Sequence, residues 1–451
     1  MPQTDAAQPL RDIIIVGAGL AGVSCAISLC RELTPYIPDL KIKIIERNEV
    51  LSTSGGAINL NPAAQRHLAY LGVLDELDRM GTEGGADVDE IELFSMHSGR
   101  SLGCVDFKGQ DGNGYGGHKG RRVMRIVLLM AMINLAERTR NIEIVYGKKL
   151  IGGEEINDKA VVHFQDGSVD IGDLVIGCDG VHSATRTRWV DPDRPSEYTG
   201  ISFLQAVVQA ENISSYKHFR STAVNFSQHG ALLMSYCDRD REEIFASAMM
   251  EFDKDALHHY RLEREQSWAT KTNIQAVLRE IVRKRFRKAA IPCILEMVNK
   301  DADWMLYPIY QVPPGGQWHM SRVILLGDAA HAMPPWYSST SFALDDAICF
   351  SRILARYRLE PLGVVFDIYD RLRRETVNNA FKGSGKMCSL TRDIGLLEEW
   401  SKEWKMPFRL RKHRHGDEEA WKFDATKIAI PKPADGEKLM TLHSFLEDYT
   451  M

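Results

Sequence analysis

No run of this sequence approaches the ~18–20 consecutive apolar residues that a membrane-spanning helix needs, and no apolar secretory leader opens it. Its eight cysteines include no C-x-x-C pair, and no Cys/His cluster has zinc spacing. A metal site is therefore not expected, and the cysteines read as reduced thiols of a cytoplasmic protein. The formal net charge of −5 supplies no field for nucleic acid or an anionic membrane. One stretch runs against that balance, Arg279–Lys288, and it reads as the solvated face of a helix. Internal repeats and low-complexity tracts are also missing, which removes solenoids and arrays. At 451 residues the chain is too long for one simple core and sufficient for two or three substructures.

What is present begins at residue 13. The apolar run Ile13–Val16 predicts a buried strand, and Gly17-Ala18-Gly19-Leu20-Ala21-Gly22 follows it. An apolar helical stretch to about Leu33 and a second strand, Ile42–Ile45, complete a β-α-β unit ending in Glu46. In this G-x-G-x-x-G turn Gly17 permits a tight bend, Gly19 lets the backbone approach a pyrophosphate, and Gly22 lets helix and strand pack closely. The helix start offers unpaired N–H groups to phosphate. Glu46, 24 residues beyond Gly22, stands where a carboxylate hydrogen-bonds an unphosphorylated ribose. The pattern occurs once, so a single dinucleotide is held by such a turn.

Further on, Val161–Phe164 and Val169–Ile171 flank the turn Gln165-Asp166-Gly167 and predict a hairpin. Leu174–Ile176 and Val323–Leu326 are two more buried-strand runs, entering Gly177-Cys178-Asp179-Gly180 and Gly327-Asp328-Ala329-Ala330-His331 respectively. Three separated segments together resemble the flavin-dependent aromatic hydroxylase family, the single-component FAD monooxygenases. They are Ser54-Gly55-Gly56-Ala57-Ile58 with Asn61-Pro62 and Leu71-Gly72, then Leu174–Arg186, then Val323–Pro335. The resemblance spans roughly residues 12 to 355. It implies an α/β fold, p-hydroxybenzoate hydroxylase-like, in which a Rossmann-type FAD-binding domain carries an inserted α+β substrate domain. On texture the boundaries fall at 10–189 for the first part of the FAD domain, 190–315 for the substrate side, 316–385 for the second FAD part, and 386–451 for a helical, then irregular tail.

The resemblance also implies roles. FAD is bound non-covalently by Gly17, Gly19, Gly22, Glu46, Gly56, Ala57, Arg125, Asp179 and Asp328, while NADPH or NADH visits transiently. Asp328 accepts a hydroxyl of the ribityl or ribose chain, or else caps the helix that follows it. Asp179 contacts the pyrophosphate and the nicotinamide approach, or else belongs to a plain turn. Arg125 matches the family arginine that opens a helix and reaches FAD, its rigid fork suiting phosphate and ribose oxygens, with Arg121 and Arg122 as rivals. His331 belongs to the signature and reads as structural rather than as a base. No catalytic residue is assigned.

Two departures stand out. Where the family continues into a Gly-Gln-Gly loop, this chain has Trp336-Tyr337-Ser338-Ser339-Thr340-Ser341, an aromatic wall for a flat substrate or a loop packed on itself. Where many members carry a substrate-holding arginine, Gln205 can hydrogen-bond but supplies no charge, which points to a larger, more neutral substrate. The implied activity is NAD(P)H- and O2-dependent hydroxylation or epoxidation of an electron-rich small-molecule metabolite, polycyclic ones included. A same-fold alternative is an oxidase or dehydrogenase, or a cyclase with FAD as a structural ligand. The Trp-x-Trp-x-Ile-Pro segment of flavin halogenases is missing.

Overall fold

The structure is a computed structural model that describes residues 10–53, 55–258, 268–334 and 339–432. The run Ile13–Val16 becomes the centre of a six-stranded sheet because every residue in it is shielded on both faces. Strand Asp12–Val16 lies between the parallel strands Lys41–Ile45 and Leu174–Gly177. Ile142–Val145 extends the sheet on one side, Val323–Leu325 and the short antiparallel His319–Met320 on the other. Helix Leu20–Leu33 packs between this sheet and helix Ser339–Arg356, with Val23, Cys25, Ala26 and Leu29 fully buried. Helix, strands and the hairpin of Lys159–Phe164 with Val169–Gly172 match the sequence expectation to within a residue or two.

A seven-stranded sheet forms the second layer system. Its order is Met305–Gln311, Glu197–Gln209, Glu243–Glu251, Gly230–Tyr236, Thr222–Ser227, Glu90–Ser95 and Ser101–Asp106. The last two strands come from the stretch assigned to the first domain, so this sheet draws on residues outside 190–315. Parallel pairing of Ala223–Phe226 with Glu92–Ser95 joins the two stretches. One face of the sheet, through Leu204, Ala206, Val208, Ile244, Ala246 and Ala248, is covered by helices Trp268–Phe286 and Pro292–Asn299. Alternation sends Phe203, Gln205, Phe245, Ser247 and Met249 to the opposite face. The basic stretch lies largely on the first of those helices, where Arg279 pairs with Asp301 and Asp303, and Arg285 with Asp393.

A small sheet, Ala57–Leu60, Gly120–Met124 and Ala86–Val88, sits between the two systems. The tail is more than an appendage. Helix Leu362–Cys388 runs through the expected boundary at 385, and helix Leu396–Lys422 lies against the edge strand Ser101–Asp106. Trp421 buries its ring edge-on against Phe107, with centroids 5.0 Å apart. Arg66 then ties the following residues down, donating to the carbonyls of Trp421, Lys422 and Phe423. No described helix is long and apolar enough to cross a membrane.

Candidate functional site

The three signature segments converge at the C-terminal ends of the parallel strands, where open α/β sheets place their ligands. Gly17 ends its strand at φ +104°, and a Cβ there would lie 2.6 Å from the Cys178 carbonyl oxygen. At Gly22 a Cβ would lie 1.9 Å from the Gly17 oxygen, so helix and turn touch through bare backbone. Gly19 differs from both. A Cβ there would meet nothing within 4 Å, and the helix it opens has no side-chain cap and no acidic residue in its first turn. The open approach thus faces unpaired N–H groups, the arrangement that accepts a pyrophosphate. Glu46 closes one side, accepting from the Ala18 N–H at 3.0 Å and from Asn48 N and Nδ2 at 2.9 and 2.7 Å.

Asp328 lies across this opening. Gly327 takes φ +59° as the helix cap, so Asp328 becomes the first residue of the four-residue helix Asp328–His331. Its side chain caps nothing and has no hydrogen bond among the described residues. The carboxylate is exposed to solvent although protein surrounds it, as expected of a group lining a cleft. Burial pushes its pKa up, opposed by the Arg125 and His331 charges. Arg125, the first residue of helix Arg125–Glu137, is therefore Asp328's neighbour in space. Its Nε donates to Thr53 Oγ1 at 2.9 Å, and its backbone N–H to Gly56 O at 2.9 Å.

The rivals of Arg125 are placed differently. Arg121 faces Asp78 and Asp87, each at 3.4 Å. Arg122 is buried beside Phe245. Gly56 and Ala57 open the small sheet, and a Cβ on Gly56 would lie 2.1 Å from the Phe245 ring. Gln205, 149 residues away in sequence, accepts the Gly56 N–H at 2.9 Å. Asn61 and Gly72 start and stop helix Pro62–Leu71, Asn61 by accepting from Ala64 N and Gly72 by adopting φ +81°.

Asp179 is fully occupied by its own turn. Its carboxylate accepts from Ser183 Oγ at 2.5 Å, Ala184 N at 2.7 Å, and Thr185 N and Oγ1 at 3.0 and 3.2 Å. The turn it organises leads to two arginines to which the motifs assign no role, Arg186 at the end of the second segment and Arg194 beyond it. Arg186, wholly buried, donates to Ala329 O at 2.7 Å, and Arg194 to Ala330 O at 3.0 Å. They bind the carbonyls of the Asp328–His331 helix and so tie the second signature to the third.

Beneath that helix lies a buried ion network. Asp346 accepts from Gly327 N at 2.9 Å, lies 2.7 Å from His331 Nε2, and takes Arg373 Nε at 2.8 Å. Burial works against its charge, but His331 and Arg373 outweigh that and hold the carboxyl at about 2. Asp345 alongside lies 3.0 Å from His67 Nδ1. His331 thus points inward as a structural group. The signal for this network was two adjacent aspartates in an otherwise apolar helix. Trp336 and Tyr337 lie outside the described residues, and Ser339–Ser341 begin the helix Ser339–Arg356.

The residues present fit FAD: an uncapped, open helix start for the pyrophosphate, Glu46 beside it, and an unbonded carboxylate paired in space with a guanidinium. A family model described as an FAD binding domain matches residues 11–380. Among curated proteins, the chain is 24% identical over 373 residues to 6-hydroxynicotinate 3-monooxygenase of Bordetella bronchiseptica, covering 80% of this chain and 88% of that protein. It is 22% identical over 366 residues to 3-hydroxybenzoate 6-hydroxylase of Polaromonas naphthalenivorans, covering 80% and 83%. Among solved structures, HpxO of Klebsiella pneumoniae complexed with FAD and uric acid superposes with a TM-score of 0.74 at 19% identity, over 91% of this chain and 96% of that one.

Proposed function

The chain belongs to the FAD-binding family of flavin-dependent aromatic hydroxylases, and from that premise we propose which of its residues hold FAD and where its substrate lies. It is an FAD-dependent monooxygenase that uses NADPH or NADH and O2 on a small-molecule substrate. The unbonded Asp328 carboxylate beside Arg125 carries the residue assignment. In this reading the helix start at Gly19 receives the pyrophosphate, between the close packing of Gly17 and Gly22. Glu46 keeps lone pairs free for the ribose hydroxyls while its present partners fix its orientation. Asp328 accepts a hydroxyl of the ribityl chain, and Arg125 sets its donors against the same region. Gly56 and Ala57 present backbone toward the flavin ring. Asp179 acts at one remove, by shaping the turn that carries Gly180 and Arg186.

When bound, FAD supplies hydride acceptance from the nicotinamide and activation of O2 for transfer of one oxygen atom. The protein positions the substrate and excludes water. The sheet face bearing Phe203, Gln205, Phe245 and Met249, which meets the FAD domain at Gly56, is the wall that does both. An electron-rich, planar compound suits that wall. We also place the protein in the cytosol, on eight free thiols and no disulfide among the described residues.

The test is direct. Purified protein should be yellow, acid precipitation should leave FAD in the supernatant, and a hydroxylated aromatic should stimulate NAD(P)H oxidation. Colourless protein that cannot be reconstituted with FAD refutes the reading.

A further inference from the structure

Arg121 and Arg122 are neighbours on one strand and differ completely in surroundings. Arg121 faces two carboxylates, whereas Arg122, 3% exposed, has no carboxylate partner among the described residues. Its guanidinium lies over the Phe245 ring, 5.2 Å from the centroid, and hydrogen-bonds the Cys237 thiol. Its Nε has no hydrogen-bond partner among the described residues. A guanidinium does not escape such burial by losing its proton, so the site holds a positive charge with no counter-charge among the described residues.

The groups around it are unsatisfied as well. Asn59 stands directly opposite Arg122 in the antiparallel pair, hence on the same face, and both its Oδ1 and Nδ2 are buried without partners among the described residues. Ser247, two residues beyond Phe245 on the same sheet face, has a buried Oγ without a partner among the described residues. Gly56 links this cluster to the cofactor region, since it touches Phe245, bonds Gln205, and accepts the Arg125 N–H. Buried polar groups left open together among the described residues call for a partner, supplied by ordered water or by a bound ligand.

We propose that Arg122, with Asn59, is the anchor for an anionic oxygen group on a planar substrate. The charge that Gln205 cannot supply is present after all, on the strand that leads into the Arg125 helix rather than on the sheet. The acidic group accepts from the guanidinium and the Asn59 amide, and the ring extends along the Phe245–Ser247 face. The proposal rests on the monooxygenase reading and names the chemistry its substrate must carry.

The experiment uses FAD-loaded protein and matched acid and amide probes, salicylate against salicylamide and hydroxynicotinate against hydroxynicotinamide, titrated by flavin absorbance. In wild type, at least one acid should bind about ten- to a hundredfold more tightly than its amide, the range of one charged hydrogen bond. Arg122→Lys should keep that preference, and Arg122→Gln should abolish it with FAD content unchanged. Asn59→Asp places a carboxylate opposite the guanidinium, and should abolish the preference while raising Tm, a readout available even if Arg122→Gln fails to fold. Wild type that binds no acid, or binds acids no better than amides, overturns the anchor. So does a preference surviving in Arg122→Gln or Asn59→Asp, or loss of FAD from Arg122→Gln, which would make the flavin the guanidinium's partner. Yellow protein that oxidises NAD(P)H yet shows no acid preference refutes only the anchor, whereas colourless protein refutes the monooxygenase reading beneath it.

Discussion

Replacing Asp346 by Asn tests whether the buried network sets the position of Asp328. Asp346 is fully buried and serves three partners at once, the Gly327 N–H, His331 and Arg373. An amide keeps the volume but loses the charge and turns one acceptor into a donor, leaving the Arg373 guanidinium, 1% exposed, with Asp345 at 3.7 Å as its one carboxylate among the described residues. Removing one member of a buried pair costs about 3–5 kcal/mol, and Asp345 offsets part of that, so the lower end of the range is expected. There is an acid component too. The folded carboxyl titrates at about 2, below its ordinary 3.8, so its ionisation stabilises the fold fully above about pH 4. That contribution, roughly 2 kcal/mol by linkage, is lost as pH falls through about 2. The assay is urea unfolding followed by tryptophan fluorescence at pH 7 and at pH 3, together with FAD content. Asp346→Asn should have a lower midpoint at pH 7, a smaller loss between the two pH values, and weakened FAD retention because Gly327 and Asp328 shift together. A variant with wild-type midpoint and FAD content at pH 7 would show that the network is incidental.

Other outcomes follow from the site geometry. Asp328→Ala should lower FAD affinity about ten- to a hundredfold with little change in Tm, measured by equilibrium dialysis and thermal denaturation. Asp179→Ala should do the reverse, lowering Tm through the loss of four hydrogen bonds in its turn and reducing FAD affinity less. Gly19→Ala should fold normally, since its Cβ enters open space, and bind FAD poorly if that space receives the phosphates, as proposed above. Gly22→Ala should be recovered mostly as aggregate, since its Cβ would lie 1.9 Å from a backbone oxygen. Trp421→Ala should cost about 3–5 kcal/mol and loosen the tail, seen as faster proteolysis after residue 390.

Much of the first domain was legible because its signals are local. Ile13–Val16, the three glycines and Glu46 lie within one short stretch, and each is explained by a strand buried on both faces or by backbone approaching backbone. The hairpin at Gly167 and the helix between Asn61 and Gly72 are marked in the same way by turn and cap residues. The second sheet was only half legible. Glu90–Ser95 alternates as a strand should, but nothing within it says that its partner begins 130 residues later. Strand pairing is a long-range choice, settled by which buried faces meet, and a domain boundary drawn on local texture cannot see it.

The same distinction separates two kinds of site residue. Gly19 and Asp328 are recognisable because their requirement is geometric and sits beside its own motif. Arg186, Arg194 and Asp346 act through partners 143, 136 and 27 residues away, and their sequence neighbourhoods show only charged residues among apolar ones. Those charges are what make the loops rigid. Arg186 and Arg194 bind the carbonyl end of the Asp328 helix, Asp346 binds its amide end, and a four-residue helix has too few internal bonds to hold itself. A free carboxylate can face the cleft because the backbone beneath it is fixed at both ends by buried ions. In the reading proposed above, the charge pattern in Leu344–Phe350 and around Arg373 thus supports the cofactor site as much as the glycines do, although none of these side chains faces the ligand.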